Sequence, residues 1–289
     1  VGATSPTAGT WDTCAFEPAR LIEGDRVVAI PVGPPLAWDE PVAFLDGLQR
    51  TELLAYADTW PLCTADVTAA VRIREGGVLR TVVEVRRTLL IGRANALEAA
   101  AVEAENLEFV TLPDHPDVPP LRDIGLAGEA VDVARATLER EAGRLFRAAH
   151  PGTWLLVDGT LATNPAWLRD PRAIGICRHH ARLPFEGEDL RTYLRLASGH
   201  RTPVFAPPAR NGIEYRAWAM RLRAWEGEDL LHGLIRVEVG RENGSAAAAD
   251  WLSPRLLAER APLPAAVAGA DRMLYPLQGV RDYLAARLG

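Results

Sequence analysis

The chain has 289 residues, 48% of them hydrophobic, with a formal net charge of -6, enough apolar material for one large domain or two closely joined ones. All 32 basic residues are arginine; without lysine, a Walker A phosphate loop, a Schiff-base enzyme and a nuclease built on a catalytic lysine are excluded. The negative balance speaks against nonspecific nucleic-acid binding over the whole surface, but a local basic channel remains open, and the planar arginine fork suits phosphate oxygens.

No run of 18 apolar residues occurs, so no membrane-spanning helix is expected. The three cysteines, Cys14, Cys63 and Cys177, are scattered and odd in number. That pattern fits neither a disulfide framework nor a CxxC zinc site, and points to a reducing, cytoplasmic setting. Residues 1–19 read as a flexible N-terminal segment, since Val1–Thr10 is small and polar and lacks the basic and apolar regions of a signal peptide.

From residue 20 the pattern predicts a strand over Val27–Ile30 and a second from Val42 ending at Asp46-Gly47. Strands are expected over Leu53–Asp58, Val67–Arg74 and Leu79–Leu90, the last two joined by Gly76-Gly77 as a tight hairpin link. Together they make an antiparallel meander. Ala94–Glu108 reads as a helix with Glu98, Glu103 and Glu105 solvated, and the proline-rich stretch Phe109–Asp123 as a loop. Glu129–Ala149 is helical by period, stopped at Pro151-Gly152. Within it, Leu138, Glu141, Ala142 and Leu145 are expected to share the inward face and Glu139 to point to solvent. Glu141 is then either a boundary residue paired with an arginine or a metal ligand.

Trp154–Asp158 repeats the device of an apolar strand ending in Asp-Gly. A carboxylate at the end of a buried strand needs a cation or hydrogen bonds to hold it. Two such aspartates, Asp46 and Asp158, suggest one acidic pocket gathered from distant parts of the chain. Further on, Ala173–Cys177 is a short strand leading to Arg178-His179-His180. The adjacent histidines would face opposite ways and read as neutral structural residues. Leu190–Ala197 is a helix or turn. Tyr215–Trp225 and Leu234–Val239 form a hairpin pair on which Arg216, Arg221, Arg223 and Arg236 line a solvated face or track a phosphate backbone. Asp250–Arg260 reads as a helix with Pro254 in its first turns, and Asp271–Leu288 as a closing helix broken near Pro276 and Gly279.

A strand aspartate, a helical glutamate and a later strand aspartate is the layout of an RNase H-like α/β site, in which acidic oxygens hold two divalent ions beside a phosphodiester. Hard oxygen ligands suit manganese or magnesium. The runs FLDGLQR, LEREAGRLF leading into WLLVDGTL, GICRHH, GHRTPVF and GLIRVEV resemble the NurA family of nucleases from about residue 20 to the end. The resemblance implies an RNase H-like mixed sheet flanked by helices over residues 20–289, with additional elements in the C-terminal half. It also implies a homodimer, manganese-dependent endonuclease and exonuclease action on single-stranded DNA, and partnership with a HerA-type hexameric ATPase in double-strand-break end resection. Carried over by position, Asp46, Glu141 and Asp158 become the catalytic and metal-holding acids, with Glu139 as the fallback. The late tyrosine and histidine of the family are missing from Ala261–Asp271, leaving Asp271 as the nearest substitute ligand. Arg50, Arg178 and Arg201 become candidate phosphate contacts. The rival reading is a non-catalytic DNA-binding or scaffold subunit whose acidic pocket no longer holds metal.

Overall fold

The computed structural model describes residues 15–99, 107–114, 119–210, 212–262 and 270–288. In chain order the elements are β1 (Ala15–Phe16), β2 (Arg20–Leu21), β3 (Ile30–Pro31), β4 (Val42–Ala57), β5 (Trp60–Glu75), β6 (Val78–Gly92), α1 (Ala94–Ala99), β7 (Leu107–Thr111) and α2 (Arg122–Ala149). They continue with β8 (Trp154–Asp158), α3 (Pro165–Arg169), β9 (Ala173–Cys177), β10 (Arg182–Leu183), α4 (Gly187–Leu194), β11 (His200–Arg201) and β12 (Phe205–Ala206). The last four are β13 (Tyr215–Arg221), β14 (Leu234–Gly240), α5 (Ala246–Ala258) and α6 (Tyr275–Leu288). The chain forms two compact units, one from Glu40–Leu155 with Pro276–Gly289, the other from Val1–Asp39 with Leu156–Tyr275. Both mix strands and helices.

The Glu40–Leu155 unit is built on the β4-β5-β6 antiparallel meander, with β7 parallel to β6. The Gly76-Gly77 link is present, both residues at positive φ as a tight hairpin turn needs. The strand expected to stop at Asp46 does not stop. It runs on through Leu53 to Ala57, with Asp46 opposite Ala70 and Thr51 opposite Ala65. A lone glycine does not turn a chain whose neighbours keep a ladder partner, so Asp46-Gly47 is a mid-strand pair. The predicted loop over 109–123 holds the end of β7, and the predicted helix over 94–108 is described only to Ala99; Glu98 is exposed as expected, while Glu103 and Glu105 lie outside the described residues. At the mouth of α2, buried Arg93 grips buried Asp123 through Nε (2.7 Å) and Nη2 (3.1 Å), with the Trp60 ring 3.9 Å from the guanidinium. A desolvated pair of this kind holds only because both partners keep their hydrogen bonds.

The other unit centres on antiparallel β13 and β14, with β9 on the far side of β14 and β11 and β12 against β13. Val27, Phe185, Tyr193, Phe205 and Leu234 share its core. Two of this hairpin's arginines, Arg216 and Arg221, form neither a solvated row nor a phosphate track. Arg216 and Arg221 are five residues apart and so leave opposite faces of the strand, and both are buried. Arg221 donates to the carbonyls of His232, Leu194 and Leu230, satisfying loop oxygens that no ladder reaches. His180 is a neutral structural histidine: Tyr193 Oη and Leu234 O flank its ring nitrogens at 3.0 and 2.9 Å, and burial pushes its pKa down to about 3.

Smaller corrections concern boundaries. The Val27–Ile30 strand shrinks to β3, and Pro254 sits mid-way along α5 rather than in its first turns. The closing helix α6 is unbroken from Tyr275 to Leu288, because Pro276 falls in the first turn, where no amide partner is lost. Among the described residues no helix is long and apolar enough to cross a membrane.

Candidate active site

Strand alternation decides what the Glu40–Leu155 unit presents around Asp46. Gln49 meets α2, donating from Nε2 to Asp132 Oδ1 (2.9 Å) and accepting from Arg135 Nε (3.0 Å). Gly47 points the same way: a Cβ there would lie 2.5 Å from Glu139 Oε1 and 2.8 Å from Glu139 Cγ. Asp46, one residue earlier, therefore points to the opposite face, where α6 lies. Its Oδ2 accepts from Arg281 Nε at 3.3 Å, and its Oδ1 accepts from the Gly47 amide at 2.8 Å. The side chain is almost wholly buried, with the residue 2% exposed. The glycine after Asp46 is thus required by the close approach of a helix.

The helical acids are reversed relative to the sequence reading. The inward stripe of α2 is Ala127, Val131, Leu138, Ala142 and Phe146, with Glu139 buried beside it. Glu139 pairs with Arg135. Glu141 is half exposed and accepts from Arg87 Nη2 at 3.1 Å, while Leu145 is 39% exposed. The period allowed either flank of the Leu138–Ala142–Phe146 stripe to turn inward, and the glycine at 47 made room for the flank carrying Glu139. Glu139 faces the Gly47 side of β4 and Glu141 reaches β6, so neither joins Asp46.

In the other unit, Asp158 ends β8 as expected. Gly159 follows at φ +126° and donates its amide to Ile176 O. Arg178, just past β9, grips Asp158 with a two-pronged contact, Nε to Oδ1 at 2.9 Å and Nη2 to Oδ2 at 2.5 Å. Both side chains are nearly buried, at 10% for Arg178 and 6% for Asp158. Arg178, expected on phosphate, is committed to the carboxylate. Arg201, also expected on phosphate, is 1% exposed and pairs with Glu23 and Asp250, so it is a core cation with no surface to offer. Arg50 is exposed and pairs with Glu52 at 2.6 Å. Asp271, expected as the late ligand, accepts from the Gly233 amide at 2.6 Å and has Arg272 Nε at 3.3 Å. It anchors a turn.

Carboxylate oxygens are the right donors for a hard divalent ion. Among the described residues, however, no group of three or more His, Cys, Asp or Glu stands close enough to hold one. Asp46, Glu139 and Asp158 each carry an arginine instead. The residues as placed do not fit a three-carboxylate metal centre. Sequence reasoning missed Arg281 and Arg135. The signal for Arg135 was Gly47, which marks a close neighbour; Arg281 left none, since it comes from a helix 235 residues away.

No family model matches the chain, and no curated protein matches it. Among solved structures it is similar to the NurA nuclease from Sulfolobus solfataricus, with a TM-score of 0.51 over 86% of this chain and 80% of that one, at 12% identity. At that identity the likeness is one of architecture, and it gives this chain a NurA-like fold.

Proposed function

We propose that the protein is a DNA nuclease of RNase H-like type, with Asp46 and Asp158 as the acids its phosphodiester hydrolysis depends on. The observation that carries the proposal is the NurA-like fold combined with two buried strand aspartates, each paired with an arginine. Their place on the strands named by the family resemblance supports a retained chemical use. The β4-β5-β6 meander followed, after α1 and β7, by α2, β8, α3 and β9 supports the RNase H-like assignment. The proposal includes manganese or magnesium, hard ions that carboxylate oxygens suit; as placed, the oxygens of Asp46 and Asp158 face arginines instead. It extends to single-stranded DNA as substrate, a homodimeric state and a HerA-type hexameric ATPase as partner in end resection. Glu139 replaces Glu141 as the helical acid to be tested, and Asp271 drops out.

The second reading, a non-catalytic DNA-binding or scaffold subunit, is favoured by one observation: every candidate acid already has an arginine on it. A manganese titration of the isolated protein on end-labelled single-stranded DNA separates the two. Cleavage that rises with the metal and stops with chelator supports the nuclease. Binding without cleavage at any metal concentration supports the scaffold.

A further inference from the structure

A cleft of about 400 Å³ opens in the unit that carries Asp158, walled by Pro184 and Pro207 and lined by Arg182, Arg210, Tyr215 and Arg236. Its polar groups are arranged around negative charge. The Glu17 Oε1 oxygen accepts from Arg182 Nη1 at 2.9 Å and from Arg210 Nη2, so two guanidinium forks share one carboxylate oxygen and keep donors to spare. Arg236 uses Nε (3.0 Å) and Nη2 (2.9 Å) on Glu238 Oε1. The other Glu238 oxygen takes the Thr160 hydroxyl at 2.6 Å and the Leu161 amide at 3.0 Å. Glu238 is fully buried, which fixes the Arg236 fork.

Tyr215 completes the wall. The residue is 3% exposed and lines the cleft. Burial pushes its pKa up to about 12, so the hydroxyl is a donor at neutral pH. A phosphate oxygen bound in the cleft would give that donor an acceptor. The cavity is too large for a bare phosphate and falls in the range of small-molecule sites. Forked arginines suit a phosphate monoester, and the proline walls suit the flat face of a base or sugar.

We propose that this cleft binds a nucleoside monophosphate, free or as the phosphorylated end of a DNA strand, with Glu17 holding the phosphate position when no nucleotide is there. The choice of a nucleotide over other phosphate esters rests on the nuclease reading; the anion site itself does not.

The test is calorimetric titration of the full chain in chelator, so that no cleavage intervenes. The titrants are deoxynucleoside monophosphates, the matching nucleosides, inorganic phosphate, and one oligonucleotide with and without a 5′-phosphate. Monophosphates are expected to bind and nucleosides not. Arg210→Gln should weaken binding about tenfold by removing a charge-assisted fork, whereas Glu17→Gln should tighten it several-fold by removing the internal competitor. Tyr215→Phe should weaken it without changing the fold. Tighter binding of the 5′-phosphorylated oligonucleotide assigns the strand end; binding of monophosphate alone assigns the free nucleotide. Inorganic phosphate binding as tightly as the nucleotide overturns the nucleotide class. No saturation by any phosphate ester on the wild type and on Glu17→Gln overturns the site. Because metal is absent, a cleavage-dead protein can still support this inference, and an active nuclease that binds no monophosphate sinks it alone.

Discussion

Replacing Gly47 by alanine probes the tightest point of the candidate site. The new methyl would sit 2.5 Å from Glu139 Oε1, 2.8 Å from its Cγ and 3.0 Å from Arg135 Cγ. All three are inside normal van der Waals contact. The Glu139 carboxylate could swing aside alone, but its Cγ sits on the stem of a residue only 7% exposed, so α2 itself must shift or Glu139 must leave its rotamer. Overpacking of this kind costs about 1–3 kcal/mol. At about 2–4 °C per kcal/mol for a chain region of this size, the melting temperature should fall by about 2–12 °C. Urea unfolding followed by tryptophan fluorescence gives the same quantity as a lower midpoint at unchanged slope. Truncating Glu139 to alanine makes room, so Gly47→Ala and Glu139→Ala should be coupled by about 1 kcal/mol or more in a double-mutant cycle. A Gly47→Ala protein with wild-type midpoint, or a strictly additive cycle, would refute the claim that glycine is there for the helix.

Three further outcomes follow from the same geometry. Arg178→Gln leaves the nearly buried Asp158 without its cation and should destabilise by about 3–5 kcal/mol; adding Asp158→Asn should recover much of that in chemical denaturation. His180, held neutral with a pKa of about 3, binds its proton far more readily when unfolded. Its depressed folded value means the stability it supports is intact above its unfolded pKa near 6.5 and is lost as pH falls below it, at about 1.4 kcal/mol per unit down to the folded value. His180→Asn should flatten the acid limb of a stability-pH curve, and an unchanged slope would argue against a neutral buried imidazole. Thr160→Val removes a charge-assisted bond to Glu238 (2.6 Å) and should cost about 1.5–3 kcal/mol, visible as a lower thermal midpoint.

The meander was legible in the sequence because Val71-Arg-Ile-Arg74 and Val83-Glu-Val-Arg86 alternate and Gly76-Gly77 admits only a tight turn. Asp158 was legible for the same local reason: an apolar run, an acid, then a glycine at positive φ. Asp46-Gly47 carries the same two letters and does something else. Only the neighbouring helix distinguishes a glycine that turns from one that yields space, and that helix lies more than 70 residues on. The Glu139 and Glu141 reversal has a similar origin, since a helical stripe has two flanks and its period does not say which one meets the sheet. Arg201, Arg216 and Arg221 misled because an arginine on a strand reads as surface. Their burial depends on Glu23, Asp250 and loop carbonyls that become neighbours only in the folded chain.

Manganese-dependent cleavage of labelled single-stranded DNA by Asp46→Asn, Asp158→Asn and Glu141→Gln, each checked for wild-type folding, decides whether the two aspartates carry the chemistry. The two aspartate variants should lose activity by about 100-fold or more, while Glu141→Gln should stay close to wild type. Full cleavage by either aspartate variant, or a Glu141→Gln protein as impaired as they are, would contradict that role for the aspartates.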